Sequence, residues 1–335
     1  MKQKDRDFIQ TIDDHLFCVV GYLHPPDRTT AYLKYLPSAD GKWGRGTHHY
    51  TRTLRFYSVG QVENTYEYLR SERPEYLYWC EVRNIKVSAV PISLMKRYFE
   101  PRTRLNKIRL AGASDVLEEK LLELTDLLSG EVGLGHLGVT GSILLDIHNP
   151  EFSDIDLTVY GIDASIKLRE VLTERRFNQV KPPSRKETEK WVKERGDKFP
   201  LSPKQLRKAS TRRWNYGYYK GTYFSIHPTR TDDEIVEKYG ENIYHREGEV
   251  SGTARVEDNI ESIYLPSRYK VSEVEADHWD DITEVVSFEG MYGGLFETDE
   301  RIEFKGILER VTGKNPHRRV IIGGAGHHTG YIKWA

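Results

Sequence analysis

Cysteine is nearly absent, with only Cys18 and Cys80 in 335 residues. They lie far apart in apolar, strand-like runs, which excludes a disulfide framework or a cysteine-based zinc site and predicts two buried thiols. Long apolar runs are missing as well. No stretch approaches the roughly 18 residues that span a bilayer, and the opening MKQKDRDFIQ lacks the apolar segment of a secretion signal. A cytoplasmic protein without a membrane partner is therefore expected. Neither sign of charge is in excess: the net charge of −1 offers no whole-chain attraction to nucleic acid. Internal repeats and low-complexity tracts do not occur.

What is present describes a folded chain of two or three domains, 30% charged and 38% hydrophobic. Its charge is unevenly spread. Residues 161–230 hold 18 Lys and Arg against 7 Asp and Glu, whereas residues 231–310 hold 8 against 22. This predicts either a basic surface beside a site, followed by an acidic domain, or a solvated helical face.

Patterning divides the chain into three. Up to residue 110, β-rich runs at 14–36 around the turn His24-Pro25-Pro26-Asp27-Arg28, strands near 52–57 and 82–90, and a helix near 62–70 form an α+β unit of unassigned role. Residues 111–250 form the second domain. There Leu117, Leu121, Leu124 and Leu128 recur at helical spacing after the capping residues Ser114 and Asp115, with Gly130 as the expected stop. A short strand at 134–139, a one- or two-turn helix at 143–147, a strand at 154–160, a helix at 165–177, a basic stretch at 181–213 that is helical in pieces, and paired strands around Gly221 follow. Residues 251–335 carry short runs at 262–265, 284–289, 301–308, 320–322 and 331–334, which predict a small β-barrel or sandwich.

The chemistry is concentrated in residues 141–156. Asp154 and Asp156 stand at i and i+2 of the predicted strand, so both side chains leave the same face. Two carboxylates held together favour a hard divalent ion between them, Mg²⁺ or Mn²⁺. Upstream, Gly141-Ser142 sits between a strand and a helix start, where backbone N–H groups and the serine hydroxyl suit a phosphate. Strand, Gly-Ser, short helix, eleven residues between Ser142 and Asp154, and then Asp-Ile-Asp on a second strand form a pattern that resembles the DNA polymerase β-like nucleotidyltransferase superfamily, and more narrowly the predicted nucleotidyltransferases of archaea. The resemblance covers about residues 114–230. It implies a small mixed β-sheet with helices on one side, Asp154 and Asp156 as metal ligands, and metal-dependent transfer of a nucleoside monophosphate from an NTP to a hydroxyl.

A third carboxylate on a neighbouring strand usually completes that site. Here the matching segment is Thr222-Tyr223-Phe224-Ser225-Ile226-His227-Pro228, and the acidic position falls on Ser225, or on His227 if the register slips by two. His227 can be a metal ligand, a proton acceptor or a hydrogen-bonded strand histidine; Ser225 can support only through its hydroxyl. The segment 204–220, KQLRKASTRRWNYGYYK, interleaves Lys and Arg with aromatics, so Arg213, Tyr218 and Lys220 are candidates for binding the nucleotide, and the stretch suits RNA or a tRNA-like acceptor. Gly323 to His328, with paired histidines, predicts a loop. Three functions follow: transfer to RNA or another nucleic acid, transfer to a small molecule or protein, and a catalytically silent nucleotide- or RNA-binding module.

Overall fold

Burial on both faces shapes the first hundred residues. The runs FIQT, LFCV and RTTAYLKYLP contain few positions that a strand could turn to water. In the computed structural model, which describes all residues except 1, 54–58, 277, 278, 280 and 324–329, they are β1 (Phe8–Thr11), β2 (Leu16–Val19) and β3 (Arg28–Pro37). With β4 (Trp43–Arg45), β5 (His48–Arg52), α1 (Val59–Glu72), β6 (Leu77–Cys80), β7 (Ile85–Pro91) and β8 (Met95–Phe99) they build the N-terminal unit. The sheet order is β4-β5-β3-β2-β1-β8, and β7 joins the far end of β3 to β6. The expected hairpin is β2–β3. The strand expected at 52–57 falls mostly outside the described residues. Cys18 and Cys80 are buried and free.

This unit docks on the next through an apolar plug. Residues 143–147 do not continue as a helix: helix α4 stops at Leu144, and Leu144, Leu145 and Ile147 enter the core formed by Phe8, Leu16, Tyr32 and Tyr35. Burying three such side chains removes enough apolar surface to contribute several kcal/mol, roughly 1.5–3 kcal/mol each.

The middle unit contains α2 (Pro101–Ala111), α3 (Val116–Val132), β9 (Leu137–Thr140), α4 (Gly141–Leu144), β10 (Ile155–Tyr160), α5 (Ile162–Thr173), β11 (Val180–Lys181), α6 (Arg185–Gly196), α7 (Pro203–Arg212), β12 (Tyr216–Tyr219) and β13 (Thr222–Thr229). Its mixed sheet runs β11-β12-β13-β10-β9, with β10 and β13 parallel. Ile155, Leu157 and Val159 of β10 and Phe224 and Ile226 of β13 point to one face, where the leucines of α3 and residues of α2 and α5 cover them. Helices α2, α3 and α5 therefore lie on one side, as expected, while α6 lies over the other. Asp115 caps α3 by accepting from the Leu117 and Glu118 N–H groups, and the helix ends at Gly133 rather than Gly130. Because Leu105 and Ile108 of α2 belong to this core, the unit begins near residue 100 rather than 111.

The basic stretch forms two helices, each opened by a capping box, Ser184 with Glu187 and Ser202 with Gln205. They pack on the C-terminal unit, where Val192, Leu201, Leu206 and Ala209 join the barrel core. That unit comprises β14 (Asn242–Asp258), β15 (Ser267–Ala276), β16 (Ile282–Ser287), β17 (Arg301–Gly313), β18 (His317–Ile322) and β19 (Tyr331–Trp334). The order β14-β15-β16-β18-β17 closes on itself through β14–β17 pairing, so five strands make a barrel and β19 flanks β17. The barrel begins at Asn242, ahead of the boundary expected at 251. One expectation fails here. Residues 262–265 are not a strand: Ile260–Ile263 is a 3₁₀ turn in which the Ser262 hydroxyl donates to the Asn259 carbonyl at 2.6 Å. Strands β14 and β15 carry no sustained apolar alternation in the sequence, because their outward positions are densely charged and β14 is interrupted by Gly248 and Gly252.

Charge segregation is consumed largely at this junction. Lys208 and Arg212 of α7 bind Glu300, Arg169 of α5 binds Glu297, and Arg230 binds Glu261. Among the described residues, no helix is long and apolar enough to cross a membrane.

Candidate functional site

The face of the middle sheet that the helices leave uncovered is the floor of a cavity of about 800 Å³, closed by the N-terminal unit, α6 and the barrel. Alternation places the floor residues: on β10 and the residue before it, Asp154 and Asp156; on β13, Tyr223, Ser225 and His227; on β12, Tyr216. Asp154 remains accessible to water inside the cavity, while Asp156 is about one-fifth exposed.

Asp156 is held from three directions. In register it faces Thr140 on β9 and Ser225 on β13. The Ser225 hydroxyl donates to Asp156 Oδ1, and His227 Nε2 lies 2.8 Å from Ser225 Oγ and 3.8 Å from Asp156 Oδ1. A serine has one proton to donate, so His227 is the donor toward Ser225, giving a chain from imidazole to hydroxyl to carboxylate. Burial and the nearby charge of Arg6 pull the imidazole down to about 4, so it is neutral at pH 7. Burial works against ionising Asp156, yet His227, Lys34 and Ser225 hold its carboxyl below the usual carboxylate range. Asp154 pays for this arrangement: the Asp156 charge, with burial, pushes it up to about 6.

Gly141 completes the approach. Its φ of +68° favours glycine, and a Cβ there would collide with the Asp156 carboxylate. The helix that it starts, α4, is a single turn, and Ser142 is 6% exposed, with its carbonyl taken by the Ile147 N–H at 3.0 Å. Gly141 thus shapes the carboxylate site, and Ser142 is packed beneath the cavity instead of lining it.

The other nucleotide-binding candidates separate. Arg213 lines the cavity, its guanidinium 3.9 Å from the centre of the Tyr216 ring and 4.8 Å from that of Trp191. Tyr218 does not; it interacts with Glu187 and packs edge-on against Tyr223 at 5.4 Å. Lys220 is also displaced. It sits at the β12–β13 turn with φ +45° and binds Glu123 of α3 at 2.7 Å, so the turn carries it to the helical face.

Several cations at the site come from segments whose role was not legible. Lys34, 5% exposed, lies in β3, a strand buried on both faces, and its charge acts on both aspartates. Arg52 acts on Asp154. Arg6 has φ +72°, a conformation that costs a non-glycine residue about 1 kcal/mol, and its carbonyl accepts from Thr140 Oγ1 at 2.6 Å. Burial would raise the Tyr216 phenol, but Arg213 and Arg6 bring it below its ordinary value. A lysine inside a strand of otherwise apolar and β-branched residues was the available signal for Lys34. Nothing local marked Arg6 or Arg52.

A second acidic group, Glu118, Asp146 and His148, has the spacing of metal ligands. Its charges are already met by arginine: Arg104 binds Glu118 at 3.0 Å and Asp146 at 2.9 Å, Arg45 binds Asp146 at 3.2 Å and Asp115 at 2.8 Å, and His148 Nε2 pairs with Asp115. Residues 324–328 of the glycine- and histidine-containing loop are outside the described residues.

Fold and site define an α+β protein of three units around a carboxylate-floored, arginine-walled cavity. Uncharacterized protein MJ1086 of Methanocaldococcus jannaschii is 32% identical to the chain over 330 residues, 96% of each. The chain belongs to the family of that protein. No protein-family model matches it, and no solved structure matches it.

Proposed function

We propose that the protein transfers a nucleoside monophosphate from an NTP to a hydroxyl, with Asp154 and Asp156 holding a divalent ion, Mg²⁺ or Mn²⁺. The observation that carries this reading is the convergence of both carboxylates and the arginines Arg6 and Arg213 on one cavity whose volume of about 800 Å³ suits a nucleotide with a further group beside it. The donors fit a hard cation. Both offer oxygen, the repulsion by which Asp156 pushes Asp154 up is what a cation between them would relieve, and Gly141 leaves the Asp156 carboxylate the room that a Cβ would take. When bound, the ion would neutralise the carboxylates and the phosphates that meet them.

The chain's own groups have distinct parts. Arg213 and Arg6 attract the triphosphate, and Tyr216, Tyr223 and Trp191 offer aromatic faces to a base. Ser225 and His227 keep Asp156 ionised and oriented. Neutral His227 donates at Nε2, so it positions Asp156 through Ser225 and does not take the acceptor proton at that atom. Asp154, the carboxylate open to the cavity, is the one able to receive it.

A second reading, a nucleotide-binding protein without turnover, is favoured by one observation: the residue facing Asp156 from β13 is Ser225, so the floor supplies two carboxylates, with buried Lys34 beside them. The test is pyrophosphate release from each of the four NTPs with Mg²⁺ or Mn²⁺, offering RNA pools and small alcohols as acceptors. Release that disappears in Asp156→Ala supports transfer. NTP binding without release under either ion supports the second reading and ends the first.

A further inference from the structure

The cavity has another cationic wall, remote in sequence from the aspartates and unused by the proposed chemistry. Strands β14, β15 and β18 bring Tyr244, Arg268 and Arg319 to it, and the segment between β6 and β7 brings Arg83. Arg319 is built in: 6% exposed, gripped by Glu309 at 2.8–2.9 Å, with its guanidinium 4.0 Å from the centre of the Tyr244 ring. Arg83 lies over Phe288 at 5.9 Å. Among the described residues no carboxylate comes within 4.0 Å of Arg83 or Arg268. Burial and Glu237 raise the Tyr244 phenol while Arg319, Arg268 and Arg83 all pull it down, so the three guanidiniums converge on one side chain.

The described carboxylates on this wall leave Arg83 and Arg268 without a direct ion-pair partner. Glu309 neutralises Arg319, Glu237 accepts from Asn242 Nδ2 at 2.9 Å and from the Tyr244 hydroxyl at 3.4 Å, and Glu284 faces His317 at 3.4 Å. Like charges gathered where water is partly excluded repel, by about 1 kcal/mol or more per close pair, and an anion between them relieves that cost. Guanidiniums recognise phosphate through paired N–H groups.

We infer that this wall is a second anion subsite that takes a phosphoryl group of the acceptor while the nucleotide lies at the Arg213 end. Its assignment to the acceptor rests on the proposed transfer; its anion binding does not. Tyr244 and Arg319 are buried and Arg83 and Arg268 half-buried. The subsite is therefore enclosed and takes one compact phosphoryl group, carried by a phosphorylated small alcohol or by the terminal nucleotide of a single-stranded RNA.

Calorimetry on the full chain with inorganic pyrophosphate tests this. Wild type is expected to bind two per chain, and one when a non-hydrolysable NTP saturates the other end. Arg83→Gln with Arg268→Gln should reduce two to one, or weaken one class of site at least tenfold, with Arg213→Gln affecting the other class. No pyrophosphate binding to NTP-saturated wild type overturns the subsite whether or not the variants fold, and so does unchanged stoichiometry and affinity in a folded double variant. Competition separates the ligand sources: displacement by glycerol phosphate assigns a small alcohol, and displacement by a short oligoribonucleotide alone assigns RNA. Displacement by neither overturns the acceptor role. Pyrophosphate release by wild type is measured in parallel, so that no release from any NTP, with second-site binding intact, sinks the transfer reading and leaves the subsite standing.

Discussion

Gly141 and Asp156 are in such close approach that the space between the glycine Cα and the carboxylate cannot hold a methyl group. The glycine also has φ +68°. Gly141→Ala should therefore destabilise the fold by about 1–2 kcal/mol from backbone strain alone and displace the Asp156 carboxylate. Thermal unfolding measures the first effect. Weaker Mn²⁺ binding measures the second, and Mn²⁺ affinity equal to wild type would separate the glycine from the site.

Asp154 makes stability depend on pH and on cations in a defined sense. Its folded pKa, about 6, exceeds the ordinary value of 3.8, so the folded state holds the proton more tightly and stability falls as pH rises between those values. Asp154→Asn should raise Tm at pH 7 and change it little at pH 4. Mg²⁺ or Mn²⁺ should raise the Tm of wild type at pH 7 more than that of the variant. An equal response of both proteins would show that the ion binds elsewhere.

Arg213 and Lys220 are both basic and separated by one β-strand, but only Arg213 reaches the cavity. Arg213→Ala should weaken NTP binding roughly tenfold to a hundredfold, the 1.5–3 kcal/mol range of a hydrogen bond to a charged group. Lys220→Ala should leave it unchanged. The reverse order, read by calorimetry, would contradict the placement of the phosphates.

Glu300 fastens the helical insertion to the barrel through Lys208 at 2.9 Å, Arg212 and the Trp334 indole N–H at 2.9 Å. Although burial opposes it, these partners lower its pKa to about 2. A depressed carboxyl stabilises above its unfolded pKa and loses that contribution as pH falls through the folded one. Glu300→Gln should cost at most about 3 kcal/mol at pH 7, with the gap from wild type closing between about pH 4.5 and 2. Denaturant titrations across that range measure it, and a gap independent of pH would assign the effect to packing.

Local periodicity made much of the architecture readable. The period-2 pattern of Asp154 to Val159 announced both a strand and its two faces, and the leucines of α3 announced a helix that covers one of them. Strands β14 and β15 were not readable, because a barrel wall rich in charge satisfies its pattern with inward residues separated by bulges and glycines. Residues 143–147 misled for a different reason: an apolar run fits equally a helix or a plug, and only the facing core of Phe8, Leu16 and Tyr35 selects the plug.

The aspartate pair, its shared face and the absence of an acid at Ser225 followed from residue order, since alternation along a strand needs no partner to be defined. Which cations meet those carboxylates did not. Lys34, Arg52 and Arg6 arrive from a unit more than a hundred residues upstream, and Arg83, Arg268 and Arg319 from three separate segments. Such convergence is a property of docking between units, where cores such as that around Leu144, Leu145 and Ile147 set distances that no local pattern contains. The same docking spends Lys208 and Arg212 on Glu300 and leaves Arg213, the next residue, facing the cavity.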